Sequence, residues 1–352
     1  MRVFKQTNKQ IDMKNKLLAV LATLGMVASA SAVKINNNLS INGFIDGSWS
    51  SVDTDGAANT HDEQAMGLDE VELNFIISAG NVSGEIHLDN QVDADGTQGD
   101  DGNGIEQAHF SYSFASGLTA QVGRFGSALG LEREDPAGLY TFSRAYDSVT
   151  VGGNTDIFNI GNIDSNQYRV DGFRLGYNLD TVSFSVAAGN PTEAREESNN
   201  GGAAASEDNL DYEFAVSFNG LENLTLGAGI IQVNNQETVG LGVPQDLTVT
   251  NFTASYTINK ILLLAEYVNA DEDNGDDLSA YSILADYDFN DKFGIAVRYS
   301  EWEESATVEN EKLTIAPNYA ITNSLGAILE YSATDDGDND QDLLALELTY
   351  TF

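Results

Sequence analysis

Five of the basic residues in this chain, Arg124, Arg133, Arg144, Arg169 and Arg174, fall within 51 positions, and Glu132, Glu134 and Asp135 stand among them. Guanidinium and carboxylate groups facing each other across a narrow, water-filled passage make a local field that sorts ions by sign. The same groups can instead pair off and fix a loop in place; the sequence leaves both readings open. Catalysis has little to work with. The chain has no Cys and three His residues, His61, His87 and His109. His61 sits in an acidic stretch without a nucleophile beside it. His87 and His109 lie equally far from position 98 in one predicted hairpin, where they could face each other as a pair of metal ligands. No arrangement of His with Ser or Asp stands out as a hydrolytic site, and the chain is read as a non-enzyme.

The elements that must position the charged group keep a strict metre. Sixteen runs alternate apolar and polar residues with a period of two, as in Val71, Leu73, Phe75 and Ile77 against Glu70, Glu72 and Asn74, which predicts strands. Seven short turns, at Gly80-Asn81, Ala115 to Gly117, Asp180-Thr181, Asn219 to Asn223, Ile258 to Lys260, Asn290 to Lys292 and Ile321 to Asn323, alternate with longer polar connections. That strict alternation of short and long connections, with Tyr and Phe collected at strand ends (Tyr112, Phe114, Tyr177, Tyr256, Tyr287, Phe289, Tyr350), fits a transmembrane barrel better than a soluble sandwich. Between Phe125 and Asn166 the metre fails. An irregular segment of about 40 residues in a compact domain is expected to be functional, and we read it as the third long loop, folded into the lumen. Arg124 is in phase with the outward Val122; a bulge at Gly123 would turn it inward.

Met13 to Ala32 has Lys14 and Lys16, an apolar stretch from Leu17 to Val27 and an Ala30-Ser31-Ala32 end, the pattern of a signal peptide. The chain thus divides into a signal peptide, residues 1–32, with Met13 an alternative start, and a barrel domain, residues 33–352. Removing the first 32 residues takes away five of the 16 basic residues and one of the 55 acidic ones, leaving a formal charge of −43. Nucleic acid is a poor partner for such a chain. Carboxylates cluster in the predicted external loops, including Asp93, Asp95, Asp336, Asp338 and Asp340. They are candidates for Ca²⁺ or Mg²⁺, although none has EF-hand spacing and a solvated acidic surface accounts for them equally. No other cofactor is expected. Residues 195–208 are of low complexity and read as a flexible loop.

Four short motifs carry a resemblance: Gly67-Leu68-Asp69-Glu70-Val71-Glu72-Leu73, Gln107-Ala108-His109-Phe110-Ser111-Tyr112, Val122-Gly123-Arg124-Phe125-Gly126 and Gly172-Phe173-Arg174-Leu175-Gly176-Tyr177. In this order, and with a terminal Tyr350-Thr351-Phe352, the chain resembles the Gram-negative trimeric porins across its whole mature length. The resemblance implies an all-β fold, a 16-stranded antiparallel transmembrane β-barrel with a long third external loop folded into the lumen. It implies acidic loop groups facing wall Arg residues at a pore constriction, for which Arg124, Glu132, Arg133, Glu134, Asp135, Arg144, Arg169 and Arg174 are the candidates. It also implies a homotrimer in outer-membrane lipid and lipopolysaccharide, and Tyr350 and Phe352 as the signal read by the barrel-assembly machinery. The expected function is passive diffusion of small hydrophilic solutes and ions with a weak cation preference. The alternatives are a solute-specific channel, or an adhesive or structural barrel without transport.

Overall fold

The computed structural model describes residues 32–56, 61–91, 104–132, 136–147, 149, 157–160, 169–191, 210–237, 244–273, 275, 277–335, 337 and 339–352. The predicted signal peptide up to residue 31, the 195–208 stretch, and Asp93, Asp95, Asp336 and Asp338 lie outside them. After a two-residue β1 (Val33–Lys34), which folds back on β2, sixteen long strands follow in chain order. They are β2 (Leu39–Gly56), β3 (His61–Ala79), β4 (Val82–Gln91), β5 (Gly104–Ser113), β6 (Leu118–Phe125), β7 (Val170–Asn178), β8 (Val182–Pro191) and β9 (Asp211–Leu221). The second half comprises β10 (Leu224–Glu237), β11 (Pro244–Ile258), β12 (Ile261–Glu272), β13 (Asp277–Asn290), β14 (Phe293–Ser305), β15 (Val308–Ala320), β16 (Leu325–Asp335) and β17 (Asn339–Thr351). Each pairs antiparallel with the next, and β17 returns to β2 from Asn339↔Gly56 to Thr351↔Phe44, closing the barrel. Closure leaves no edge with unpaired N–H and C=O groups.

Alternation then sorts the side chains. On β14, Phe293, Val297 and Tyr299 stand on the outside, while Ala296, Arg298, Ser300 and Trp302 are buried within. Outer aromatics line the end that carries the short turns, where Phe289 stacks on Phe293 at 5.1 Å and Tyr112 meets Phe114 edge-on at 4.7 Å, and a second set that includes Tyr281 and Tyr299 lies toward the other end. All seven short turns form where the sequence placed them. Gly117 shows why one of them needs glycine: its φ is +89°, and a Cβ there would lie 2.8 Å from the Asn178 carbonyl oxygen.

The acidic stretches differ from expectation. Asp340, expected in a loop, lies in β17, and Asp53, Asp55, Asp62, Asp271, Asp335 and Asp342 lie in strands as well. A strand needs only about 9–11 residues to cross a bilayer, and β2 and β3 run for 18 and 19. Their excess length extends the long-loop end, where both faces meet water and backbone pairing tolerates charged side chains.

Between β6 and β7 the described residues of the irregular segment form no strand, and its one turn of 3₁₀-helix is Pro136–Gly138. Leu129, Ala145, Tyr146, Val149, Ile157, Phe158 and Ile160 pack into a buried apolar cluster with Ile231, Val233, Leu247, Val249, Val268, Leu278 and Trp302 of β10–β14. These wall residues alternate with the exposed Ile230, Tyr267 and Ile283, so they face inward. Fully burying each large apolar side chain contributes roughly 1.5–3 kcal/mol. The inner wall of β10–β14 is therefore an apolar seat for the loop.

The closing seam ends on Phe352. Its N–H donates to the Gly43 carbonyl and its own carbonyl accepts from the Gly43 N–H, both at 3.1 Å, and its ring lies 6.1 Å from that of Tyr350. Deleting Phe352 removes the last two hydrogen bonds of the β17–β2 seam and an aromatic contact. The amount of heat-modifiable barrel in outer-membrane fractions should fall several-fold, with Phe352→Ala intermediate; an unchanged yield would show that the seam closes without it.

Candidate functional site

The loop is held along the inner wall by charge. Ser127 Oγ and the Ala128 N–H donate to Glu213 of β9 at 2.6 and 3.1 Å, the Gly130 N–H to Asn251 of β11 at 3.3 Å, and the Leu131 N–H to Glu266 of β12 at 2.9 Å. Farther round, the Ser143 N–H donates to Glu330 of β16 at 3.1 Å, and Lys312 of β15 pairs with Asp147 at 2.7 Å. A carboxylate that accepts backbone N–H groups satisfies loop donors that would otherwise be buried without partners.

Arg298 of β14 is the hub. It is 1% exposed, and its two terminal nitrogens donate to Glu132 at 2.5 Å, Thr141 at 2.8 Å, the Ser143 carbonyl at 2.9 Å and the Arg144 carbonyl at 2.6 Å. One planar fork thereby joins both limbs of the loop. Glu132 also accepts from the Ala145 N–H at 2.7 Å, so the carboxylate ties the limbs to each other as well as to the wall. Above them Tyr146 lies edge-on to Phe158 and Trp302, with ring centroids 6.0 and 6.4 Å away, and burial pushes its phenol well above its ordinary pKa, keeping it neutral.

The candidate residues separate. Glu132 and Arg174 join the network; Arg174 pairs with Glu213 at 3.1 Å, donates to the Gly126 carbonyl at 2.7 Å and lies 4.3 Å over the Phe125 ring. Arg144 contributes its carbonyl, Arg169 immediately precedes β7, and Arg133, Glu134 and Asp135 lie outside the described residues. Arg124 is a correction. Pairing runs residue for residue through Gly123 on both sides, Phe110↔Val122 with Ala108↔Arg124, and Val122↔Phe173 with Arg124↔Asp171. No bulge turns it inward. It keeps the outward phase of Val122 and Phe173 and pairs there with Asp171 at 3.1 Å. Gly123 absorbs the local distortion in its own backbone, at φ +132°.

Sequence reasoning overlooked Arg298, Lys312 and Asp147. The signal for the two cations was present in the strand metre, because Arg298 falls between the outward Val297 and Tyr299, and Lys312 precedes the outward Leu313.

The polar contacts of the loop fall on β7, β9, β11, β12 and β14–β16. Across from them, inward positions of β17 and β2–β5 carry Glu347, Asp46, Glu70, Glu72, Glu85, Asp89 and Glu106, with His87 and His109 as the basic side chains of that arc among the described residues. Asp46, Asp69 and Glu72 each keep a buried oxygen without a hydrogen-bond partner. Toward the short-turn end, a cavity of about 260 Å³ lies between Pro136–Tyr140 of the loop and Asn318, Ile328 and Thr349 of the wall.

A family model for Gram-negative porins matches residues 18–350. Among solved structures, OmpF of Salmonella typhi in complex with daunomycin is similar at a TM-score of 0.64 and 16% identity, covering 91% of this chain and 100% of that one. The outer-membrane channel DcaP of Acinetobacter baumannii gives 0.62 at 14% identity, with 91% and 99% covered. An anion-selective porin from Comamonas acidovorans gives 0.60 at 13% identity, with 89% and 99% covered. No curated protein matches in sequence.

Replacing Arg298 should release the loop. Arg298→Ala leaves Glu132, Thr141 and two carbonyls inside the barrel without their donor, and breaking a buried pair from one side costs about 3–5 kcal/mol. Arg298→Lys should recover only part of this, because a point charge cannot reach four acceptors at once. Denaturation midpoints of the detergent-solubilised barrel, together with protease cleavage between residues 126 and 160, provide the check; a midpoint unchanged in Arg298→Ala would show that the apolar seat alone holds the loop.

Proposed function

The chain belongs to the Gram-negative porin family, and on that premise we propose that this outer-membrane channel passes small hydrophilic solutes and ions by passive diffusion, prefers cations, and works as a homotrimer. Its fold does not set the sign, since the anion-selective porin from Comamonas acidovorans has a similar one. Side chains do. The observation that supports cation preference is an imbalance of partners. Arg174, Arg298 and Lys312 are each tied to a carboxylate of the loop or wall. On the arc away from the loop's polar contacts, by contrast, the inward carboxyl groups Asp46, Glu70, Glu72, Glu85, Asp89, Glu106 and Glu347 outnumber the basic side chains His87 and His109 among the described residues. With the loop seated against β9–β16, the open passage runs beside that acidic arc.

The third loop narrows the passage, and its charged residues act chiefly as anchors, with the acidic arc supplying the field. The homotrimer, the lipopolysaccharide surroundings and delivery by the barrel-assembly machinery through Tyr350 and Phe352 rest on the family relationship.

In planar bilayers the protein should insert in conductance steps grouped in threes. In a KCl gradient at low salt the reversal potential should have the sign of cation preference, and an anion-selective value would refute the proposed field. Glu70→Gln combined with Asp89→Asn should move that potential toward zero without changing the number of steps.

A further inference from the structure

We propose that Glu72, His87 and Glu106 form a binding site for one divalent transition-metal ion of the Zn²⁺ class on the inner wall of the barrel. Three adjacent strands supply the donors, and a break in the ladder brings them together. His87 pairs with Gln107 but Leu88 pairs with Ile105, so Glu106 is the extra residue of a bulge. A bulge re-aims a side chain, and here Glu106 is buried on the inner side beside His87.

The geometry suits a metal. One ligand atom from each residue lies within 4.8 Å of the others. His87 Nδ1 is 3.1 Å from Glu72 Oε1 and 3.5 Å from Glu106 Oε2. Donors bound tetrahedrally at about 2.0–2.1 Å stand roughly 3.3 Å apart, so the two edges bracket the required length. On the other side of the ring, Nε2 lies 3.2 Å from Glu85 Oε2. A carboxylate that accepts the distal N–H fixes the tautomer and turns the lone pair of the other nitrogen toward the ion, the usual support of a metal-bound histidine.

Charge and burial point the same way. Glu72 is 1% exposed, its Oε1 lies 3.1 Å from His87 Nδ1, and its Oε2 is buried without a hydrogen-bond partner. A buried carboxylate needs a positive partner. Protonated His87 would offer one positive charge to the three carboxylates around it, whereas a divalent ion on neutral His87 offers two. The His87 side chain is 15% exposed, which leaves a coordination position facing the lumen for water or a passing anion. None of this depends on the barrel being cation-selective.

The test uses the full-length barrel purified from outer membranes in detergent, stripped with a chelator and titrated with Zn²⁺ by calorimetry. One stoichiometric site per chain is expected, lost in His87→Asn and in Glu72→Gln, and weakened about 10–100-fold in Glu85→Gln as for other supporting carboxylates. Co²⁺ in place of Zn²⁺ should give visible absorption bands of nitrogen and oxygen coordination that disappear in His87→Asn. Heat-modifiable mobility verifies that each variant is folded; if His87→Asn does not assemble, Glu106→Gln takes its place. Binding or a Co²⁺ spectrum that survives in the folded variants would place the ion on other residues and overturn the proposal. So would a folded wild-type barrel with no saturable site, which would leave His87 as an imidazolium among carboxylates.

Discussion

A strand that crosses hydrocarbon can place its N–H and C=O groups only on neighbouring strands, because the bilayer core supplies no water to take them. Everything else in this barrel depends on that constraint. It forces β17 back onto β2, and it fixes the register at the seam, where Gly43 faces Phe352. Once the register is fixed, each residue is committed to one face. The same pairing that puts Val297 in lipid puts Arg298 inside. Side chains in the lumen are therefore placed by the backbone before their own interactions begin.

The inner wall then divides by chemistry. From β10 to β14 it is apolar in its upper part, with Val249, Val268 and Trp302, and there it receives the loop as a core would. Apolar packing alone leaves a loop's peptide groups unsatisfied, and here Glu213, Glu266 and Glu330 accept them. Arg298 closes the arrangement because one guanidinium reaches both limbs. The loop's position is thus a property of the wall as much as of the loop, and its charged residues are largely consumed in holding it.

Much of this was legible in the sequence because a period of two is hard to disguise. The sixteen strands, the seven short turns and the aromatic strand ends follow from alternation and from turn chemistry. The seat of the loop was less visible, although runs such as Gly229-Ile230-Ile231 and Leu262-Leu263-Leu264 carry apolar residues on both faces, which a strand facing open water inside would not need. Arg124 shows the limit of motif reasoning. A cluster of arginines close in sequence suggested one site, but the phase of each strand sends Arg124 and Arg174 to opposite faces, and the true partner of Glu132 is 166 positions away. The grouping of Glu72, His87 and Glu106 was hidden for another reason, since it depends on a one-residue bulge between β4 and β5 that no local signal marks. Carboxylates in long strands look like loop residues in the sequence because polarity is local, whereas the pairing that makes them strands is not.

Total charge is a poor guide to what such a pore admits. A formal charge of −43 is spread over the whole barrel, and exposed charges separated by more than about 8–10 Å are largely screened at physiological ionic strength. What an ion meets at the narrow level is set by the charges within that distance, and among these by the ones not already paired. Arg298 with Glu132 and Lys312 with Asp147 nearly cancel at the distances observed, 2.5 and 2.7 Å. On the proposed reading, anchoring the loop acts twice on the passage: it narrows it, and by pairing the inward cations it leaves the sign of the field to the carboxylates on the opposite arc.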